Sequence, residues 1–337
     1  MVAAQDATPE ATAAATAQTV DLSGIKAYTI QQTTALNQYV DALQKDSQAF
    51  YDLANAANFD YNALWQNHQD DVIKTLQAAQ QDWINLNPQY ESMEGIIAGV
   101  PSLQPYDPIL DSGVQGQVDL DVTLPNGTVL PKPGNLMALT QETLWGTDPT
   151  YIVKMKVDFN GNGTQDFGEV MPDAQYAKGF ADSLAMQTAS LLKSVQDWQP
   201  TQTDVFTALV VNVPTMTDFF NSWKESRFVL GDKATRGDFA VTSRLADIHD
   251  NVESWEVMWE GLAPAVTAVD VDRNSVIADE LKDLQGYIDN LYQQEQGGKR
   301  FTPEQADLFS SEAQARATVI VGQISQVAAE LNIQLPQ

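Results

Sequence analysis

Residues 158–169 read DFNGNGTQDFGE, and their types and spacing are those of a loop that wraps a calcium ion. Asp158, Asn160 and Asn162 stand at alternate positions, so their side chains can converge on one point. Gly163, sixth in the loop, permits the sharp turn. Thr164 offers its backbone carbonyl, Asp166 a direct or water-bridged contact, and Glu169 a bidentate carboxylate. About seven hard oxygens suit Ca²⁺ better than Mg²⁺, which takes fewer protein ligands and keeps its waters. This donor set predicts moderate to weak binding, with Kd about 10⁻⁵–10⁻³ M. Position 8 is Gln165 rather than the apolar residue through which paired loops join, and a strand-like run, TYIVKMKVDF, leads in where a signalling loop has a helix. DVDRNSVIADE (270–280) begins like a second loop but has Ser275 where glycine is needed, so it reads as a turn and N-cap between helices. The expected role of the calcium loop is structural: it pins an insert to the helix that follows.

A second constellation lies on one helix face. His249, Glu253, Glu256 and Glu260 are spaced 4, 3, 4 and share a stripe beside the apolar stripe Leu245, Ile248, Val252, Trp255, Trp259, Leu262. Imidazole and carboxylates together could hold iron or another transition metal. A solvated helix face is the alternative.

The elements that must position these groups follow from periodicity. Apolar residues at helical spacing run from Ile25 through Leu53, then from Tyr61 to Leu86, where Pro88 is expected to end the helix. Residues 89–110 read as one short helix followed by Pro-rich chain. Val118, Leu120, Val122 and Leu124 alternate up to Asn126-Gly127, and Val129 follows, which predicts a β-hairpin. Helical periodicity returns over about 173–198, 203–228, 238–262, 274–296 and 303–333. Ile277, Leu281, Leu284, Ile288 and Leu291 make a bundle-type stripe, and Thr302-Pro303-Glu304-Gln305 supplies a capping box. Six tryptophans, Trp83, Trp145, Trp198, Trp223, Trp255 and Trp259, fall mostly at core-facing spacing. The fold expected is mainly α: two helical bundles joined by a small β-hairpin-containing insert that carries the calcium loop. The divisions are 1–21, an Ala/Thr/Pro-rich disordered tail; 22–113, the first part of bundle 1; 114–172, the insert; and 173–335, the remaining helices, including bundle 2.

Composition narrows the function. The 337 residues carry 18 Lys and Arg against 45 Asp and Glu, a formal charge of −27, which argues against a nucleic-acid partner. Cysteine is absent, so there is no thiolate chemistry. No apolar run is long enough to span a bilayer. The N-terminal tract lacks the residues to form a core and resembles the start or tether of an exported protein, whether periplasmic, a cell-surface lipoprotein or extracellular.

SRLADIHDNVESWEVMWEGLAPAV (243–266), QYESMEGIIAGVPSLQPYDPILDSG (89–113) and TLWGTD (143–148) resemble segments of the imelysin-like family, which includes exported iron-uptake lipoproteins. The resemblance covers most of residues 22–335 and implies paired helical bundles. It also implies that Glu91 and Glu94 line a central cleft, where they could join the His249 stripe around a metal ion. The chain departs from the family at its G-x-H-x-x-E-x-x-L-W-G segment. Alignment on Leu144-Trp145-Gly146 puts Ala138 at the histidine and Gln141 at the glutamate, while Glu142 lies on another helical face. That loss, with only His68 and His249 in the chain, weighs against a metal-dependent peptidase. The expectation is a non-enzymatic exported binding protein for a metal ion or small metal-bearing ligand, with a membrane-bound partner or self-association. The alternative is a calcium-stabilised surface or assembly protein whose ancestral site is dead.

Overall fold

The structure is a computed structural model that describes residues 20–335. The tail expected over 1–21 therefore falls almost wholly outside the described residues. Helix α1 (Ser23–Ala56) buries Ile25, Leu36, Val40, Leu43 and Phe50, the stripe that the periodicity predicts. It packs along α2 (Tyr61–Ile97) and α4 (Ala174–Asp197), and α3 (Leu136–Trp145) closes this first bundle. The second bundle is made of α5 (Gln202–Asn212), α6 (Met216–Glu225), α8 (Arg244–Val269), α9 (Val271–Gln296) and α10 (Pro303–Glu330), with the short α7 (Arg227–Leu230) beside it. Helices α2 and α8 pack on each other, and one continuous apolar core runs through both bundles. All six tryptophans named above are buried, which assigns them to packing.

Helix α2 does not stop at Pro88. It continues to Ile97, and the break in its dihedrals is at His68 (φ −138°, ψ 31°). Proline removes the bond to the carbonyl of Ile84, but Ile84 is 40% exposed and lies on the water-facing side. Beyond it every residue from Tyr90 to Ile97 is buried, so tertiary packing overrides the local break. A helix buried on all sides lies at the centre of its fold, and α2 brings Glu91 and Glu94 there.

Other boundaries differ for local reasons. Pro214 splits the helix expected over 203–228, inserting a 3₁₀ turn (Val213–Thr215) between α5 and α6. Helix α8 starts at the Ser243 N-cap rather than at 238 and runs through Pro264 to Val269. Asp270 caps α9, as read for the 270–280 turn, and Thr302 and Gln305 form the capping box of α10.

The insert is leaner than the alternation implies. Its hairpin consists of β1 (Val122–Thr123) and β2 (Val129–Leu130), paired antiparallel with Thr123 opposite Val129. Gly127 turns at φ 85°, which favours glycine. TYIVKMKVDF contributes only β3 (Ile152–Val153), because its partner β4 (Met171–Pro172) is two residues long. The pair β3–β4 closes the neck of the calcium-type loop. Val157 and Met171 pack with Phe50, Leu64, Val72 and Leu76 into a satellite core at one end of α1 and α2.

Candidate metal centre

Where α2 passes α8, backbone approach is close. A Cβ on Gly95 would lie 2.4 Å from Ser254 Oγ and 2.5 Å from Trp255 Nε1, so only glycine fits. This contact aligns the Glu91 and Glu94 side of α2 with the Arg244–Asn251 turns of α8. Asn251 Nδ2 donates to Glu94 Oε2 at 2.6 Å and to Glu91 Oε2 at 3.1 Å. Asp111 arrives from a π-helical turn (Pro108–Ser112), an irregularity often found at functional sites. Ligand oxygens of Glu91, Glu94 and Asp111 all lie within 4.8 Å of one another. Oxygens about 2.4–2.6 Å from a common centre can lie up to about 5 Å apart, so this spacing is within the reach of a shared hard cation.

Two further carboxylates surround this trio. Asp247 accepts from Asn87 Nδ2 at 2.9 Å, and Asp107 accepts from Tyr90 Oη at 2.8 Å and from Ser112 Oγ at 2.5 Å. Among the described residues one cation, Arg244, pairs with the group. Arg244 lies 3.4 Å from Glu91, 3.2 Å from Asp247 and 3.9 Å from Asp111, with its guanidinium 4.6 Å from the ring centres of both Phe219 and Phe239. Burial drives the Glu91 carboxyl well above the usual range, and the charges of Asp247, Glu94 and Asp111 add to the effect against Arg244. Burial likewise raises Asp111 and Asp247 against the pull of Arg244, and Asp107 is pushed up to about 6. Carboxyls raised in this way favour the protonated form, and a cation held there would compete with those protons.

A cavity of about 10 Å³, the size of a single water, opens beside the cluster and is lined by Asp111, Asp247, Asn87, Ala138 and Gln141. The residues at the degenerate motif positions thus face the acidic cluster across one small space. Ala138 supplies no donor. Gln141 is fully buried and already engaged: its Nε2 donates to Gly237 O at 3.0 Å and its Oε1 accepts from Ala240 N at 3.3 Å.

The imelysin family profile matches residues 24–331. The chain belongs to the imelysin family. The match runs from α1 through α10, so the motif segment and the acidic cluster both lie inside the imelysin fold. A solved structure similar to this imelysin chain is that of a putative iron-regulated protein A precursor from Parabacteroides distasonis, at 14% identity and a TM-score of 0.46, covering 93% of this chain and 96% of that one. Comparison with curated proteins finds no match.

The His249 stripe, expected from the sequence to join Glu91 and Glu94, lies apart from the group of Glu91, Glu94 and Asp111 in the structure. His249 Nδ1 lies 2.5 Å from Asp289 Oδ1 on α9, and its Nε2 lies 3.8 Å from Asp250. Glu256 faces Gln285 of α9, and Glu260 is exposed. Among the described residues, the acidic or imidazole group placed to share an ion is Glu91, Glu94 and Asp111, without His249, Glu253, Glu256 or Glu260. The helical phase separates them, since His249 and Glu256 look toward α9 while Glu91 and Glu94 meet the face of Asp247 and Asn251. Reading the sequence missed Asp107, Asp111, Arg244, Asp247 and Asn251. The signal was present: Arg244, Asp247, Asn251 and Ser254 are spaced 3, 4, 3 beside the apolar stripe, which places charged side chains on a buried face.

The 158–169 loop is held by its own side chains. Asp158 accepts from the backbone N–H of Gly161 and of Gly163, both at 2.7 Å, and Gly163 has φ 84°. Asn160 and Asn162 donate to Asp166 Oδ2 at 3.1 and 2.7 Å, so these three side chains meet; hydrogen bonds from the two amides hold Asp166 below the usual carboxylate range. Glu169 Oε1 accepts from Phe159 N and Asn160 N, and its Oε2 accepts from Asp166 N. The Thr164 backbone N–H donates to the Asn162 side-chain Oδ1 at 2.8 Å. Gln165 instead ties the loop end, donating to Glu169 O at 2.6 Å. Gln80 of α2 donates to Gly168 O and to Leu144 O, which fastens the loop to both α2 and α3.

Proposed function

We propose that this imelysin-family chain is an exported, non-enzymatic binding protein that holds a hard metal cation at Glu91, Glu94 and Asp111. The observation that carries this reading is the convergence of three ligand oxygens within 4.8 Å at the buried crossing of α2 and α8, facing the positions where the family motif has lost its donors. An all-oxygen set favours Mn²⁺, Ca²⁺ or ferric iron over soft or imidazole-seeking metals. Ferric iron is the member of that class to which the resemblance to iron-uptake lipoproteins points. Peptidase chemistry would need a metal with an open position and a base, and neither Ala138 nor the engaged Gln141 supplies a ligand for it.

The 158–169 loop, in the same reading, binds Ca²⁺ structurally through Asp158, Asn160, Asn162, Thr164, Asp166 and Glu169. Its ion would lock the neck β3–β4 and the satellite core under it.

Calorimetric titration of the chelator-treated protein with ferric citrate and Mn²⁺, beside the variant Glu91→Gln/Glu94→Gln/Asp111→Asn, tests the proposal. Saturable binding that the triple variant loses supports it, and equal binding by both proteins refutes it. One observation favours a second reading. Arg244 and protons can neutralise the cluster without metal, and the chain would then be a calcium-stabilised surface or assembly protein. Calcium as the sole bound ion, together with calcium-dependent self-association, would select that reading.

A further inference from the structure

A cavity of about 630 Å³ lies between the calcium-type loop, α7 and the end of α9, a size typical of small-molecule sites. Its cations stand out in a chain with only 18 Lys and Arg and a formal charge of −27. Arg227, Lys299 and Arg300 all line it. They come from separate elements, the start of α7 and the turn after α9, so helix-face periodicity does not explain the grouping.

Their partners leave charge unspent. The Arg227 guanidinium lies 3.5 Å from the centre of the Phe167 ring and has no hydrogen-bond acceptor among the described residues. Burial lowers its pKa, Asp232 pulls the other way, and the neighbouring charge of Arg300 adds to the lowering. Arg300 spends one donor on Phe228 O at 3.1 Å, and Lys299 donates to Gln294 Oε1. On the acidic side, Asp232 is exposed, while Glu295 accepts from Trp223 Nε1 at 2.8 Å and burial raises its carboxyl toward the neutral form. Phe167, Phe228, Trp145 and Val241 supply apolar lining.

Guanidinium groups with free N–H donors bind planar carboxylates by paired, charge-assisted hydrogen bonds. Aromatic walls select a flat ring between them. We infer that this cavity is a binding site for a small aromatic carboxylate, with Arg227 and Arg300 taking the carboxylate and Phe167 and Phe228 flanking the ring. The site is separate from the acidic cluster, and the inference does not depend on a metal being bound there.

Isothermal titration of the wild-type protein with terephthalate, its neutral diamide, benzoate and inorganic phosphate is the test. Terephthalate binds best, the neutral diamide at least about tenfold more weakly, and binding weakens as salt is raised. Arg227→Gln and Arg300→Gln each lower terephthalate affinity about tenfold or more. Asp232→Asn tightens it severalfold, a gain that a misfolded variant could not produce. Unchanged affinity in both arginine variants, equal binding of the diamide, or no binding of any of the three anions to the folded wild type overturns the inference.

Discussion

The side-chain amide of Asn251 reaches Glu94 Oε2 at 2.6 Å across the seam between α8 and α2. The same nitrogen also serves Glu91, so one neutral donor joins two buried carboxylates that would otherwise repel. Asn251→Ala should cost about 1–3 kcal/mol in chelator near neutral pH, the expense of leaving buried acceptors unpaired. Chemical denaturation measures it. A loss under a few tenths of a kcal/mol would mean that water replaces the amide without penalty.

The cluster predicts an unusual pH dependence. Glu91, Asp111 and Asp247 are raised in the folded state, and Asp107 lies at about 6; the half-buried Glu142 and Asp250 are pushed up to about 7, each chiefly by burial. A carboxyl raised on folding binds more protons in the native than in the unfolded chain, so stability falls as pH rises. The contribution is full below about pH 4, the unfolded value, and is lost as pH rises through about 6–7. The metal-free protein should therefore melt higher at about pH 5.5 than at pH 8. A bound cation replaces the protons and flattens this slope. Melting curves in chelator that rise with pH across this range would contradict the assignment.

For the loop, Ca²⁺ at 100 times Kd should stabilise the fold by about 2.7 kcal/mol. Glu169→Gln should remove most of that gain, because Glu169 closes the loop from its last position. A melting temperature indifferent to both calcium and chelator would exclude a structural ion there.

How far the sequence revealed this molecule depends on the range of the interactions involved. The helices with clean apolar stripes, such as α1 and α9, and the capped starts at Asp270 and Thr302 were legible because local periodicity and capping determine them. The turn over 158–169 was legible because its Asp, Asn and Gly residues are contiguous and bond to one another locally. Pro88 misled because the packing of Tyr90–Ile97 is a tertiary fact, invisible one turn earlier. The acidic cluster was half legible. Glu91 and Glu94 were identified, but their true neighbours lie far along the chain, and only the close approach at Gly95 decides that Asn251 and Asp247, not His249, face them.

The central claim is that Glu91, Glu94 and Asp111 hold the metal, while neither the degenerate motif nor the His249 stripe does. Metal content after identical loading with ferric citrate, measured for the wild type, Glu91→Gln/Glu94→Gln/Asp111→Asn, Gln141→Ala and His249→Ala, tests it most directly. The account predicts one-to-one loading in the wild type, retained in Gln141→Ala and His249→Ala and lost in the triple variant. Metal retained by the triple variant, or lost on removing His249 or Gln141 alone, would contradict it.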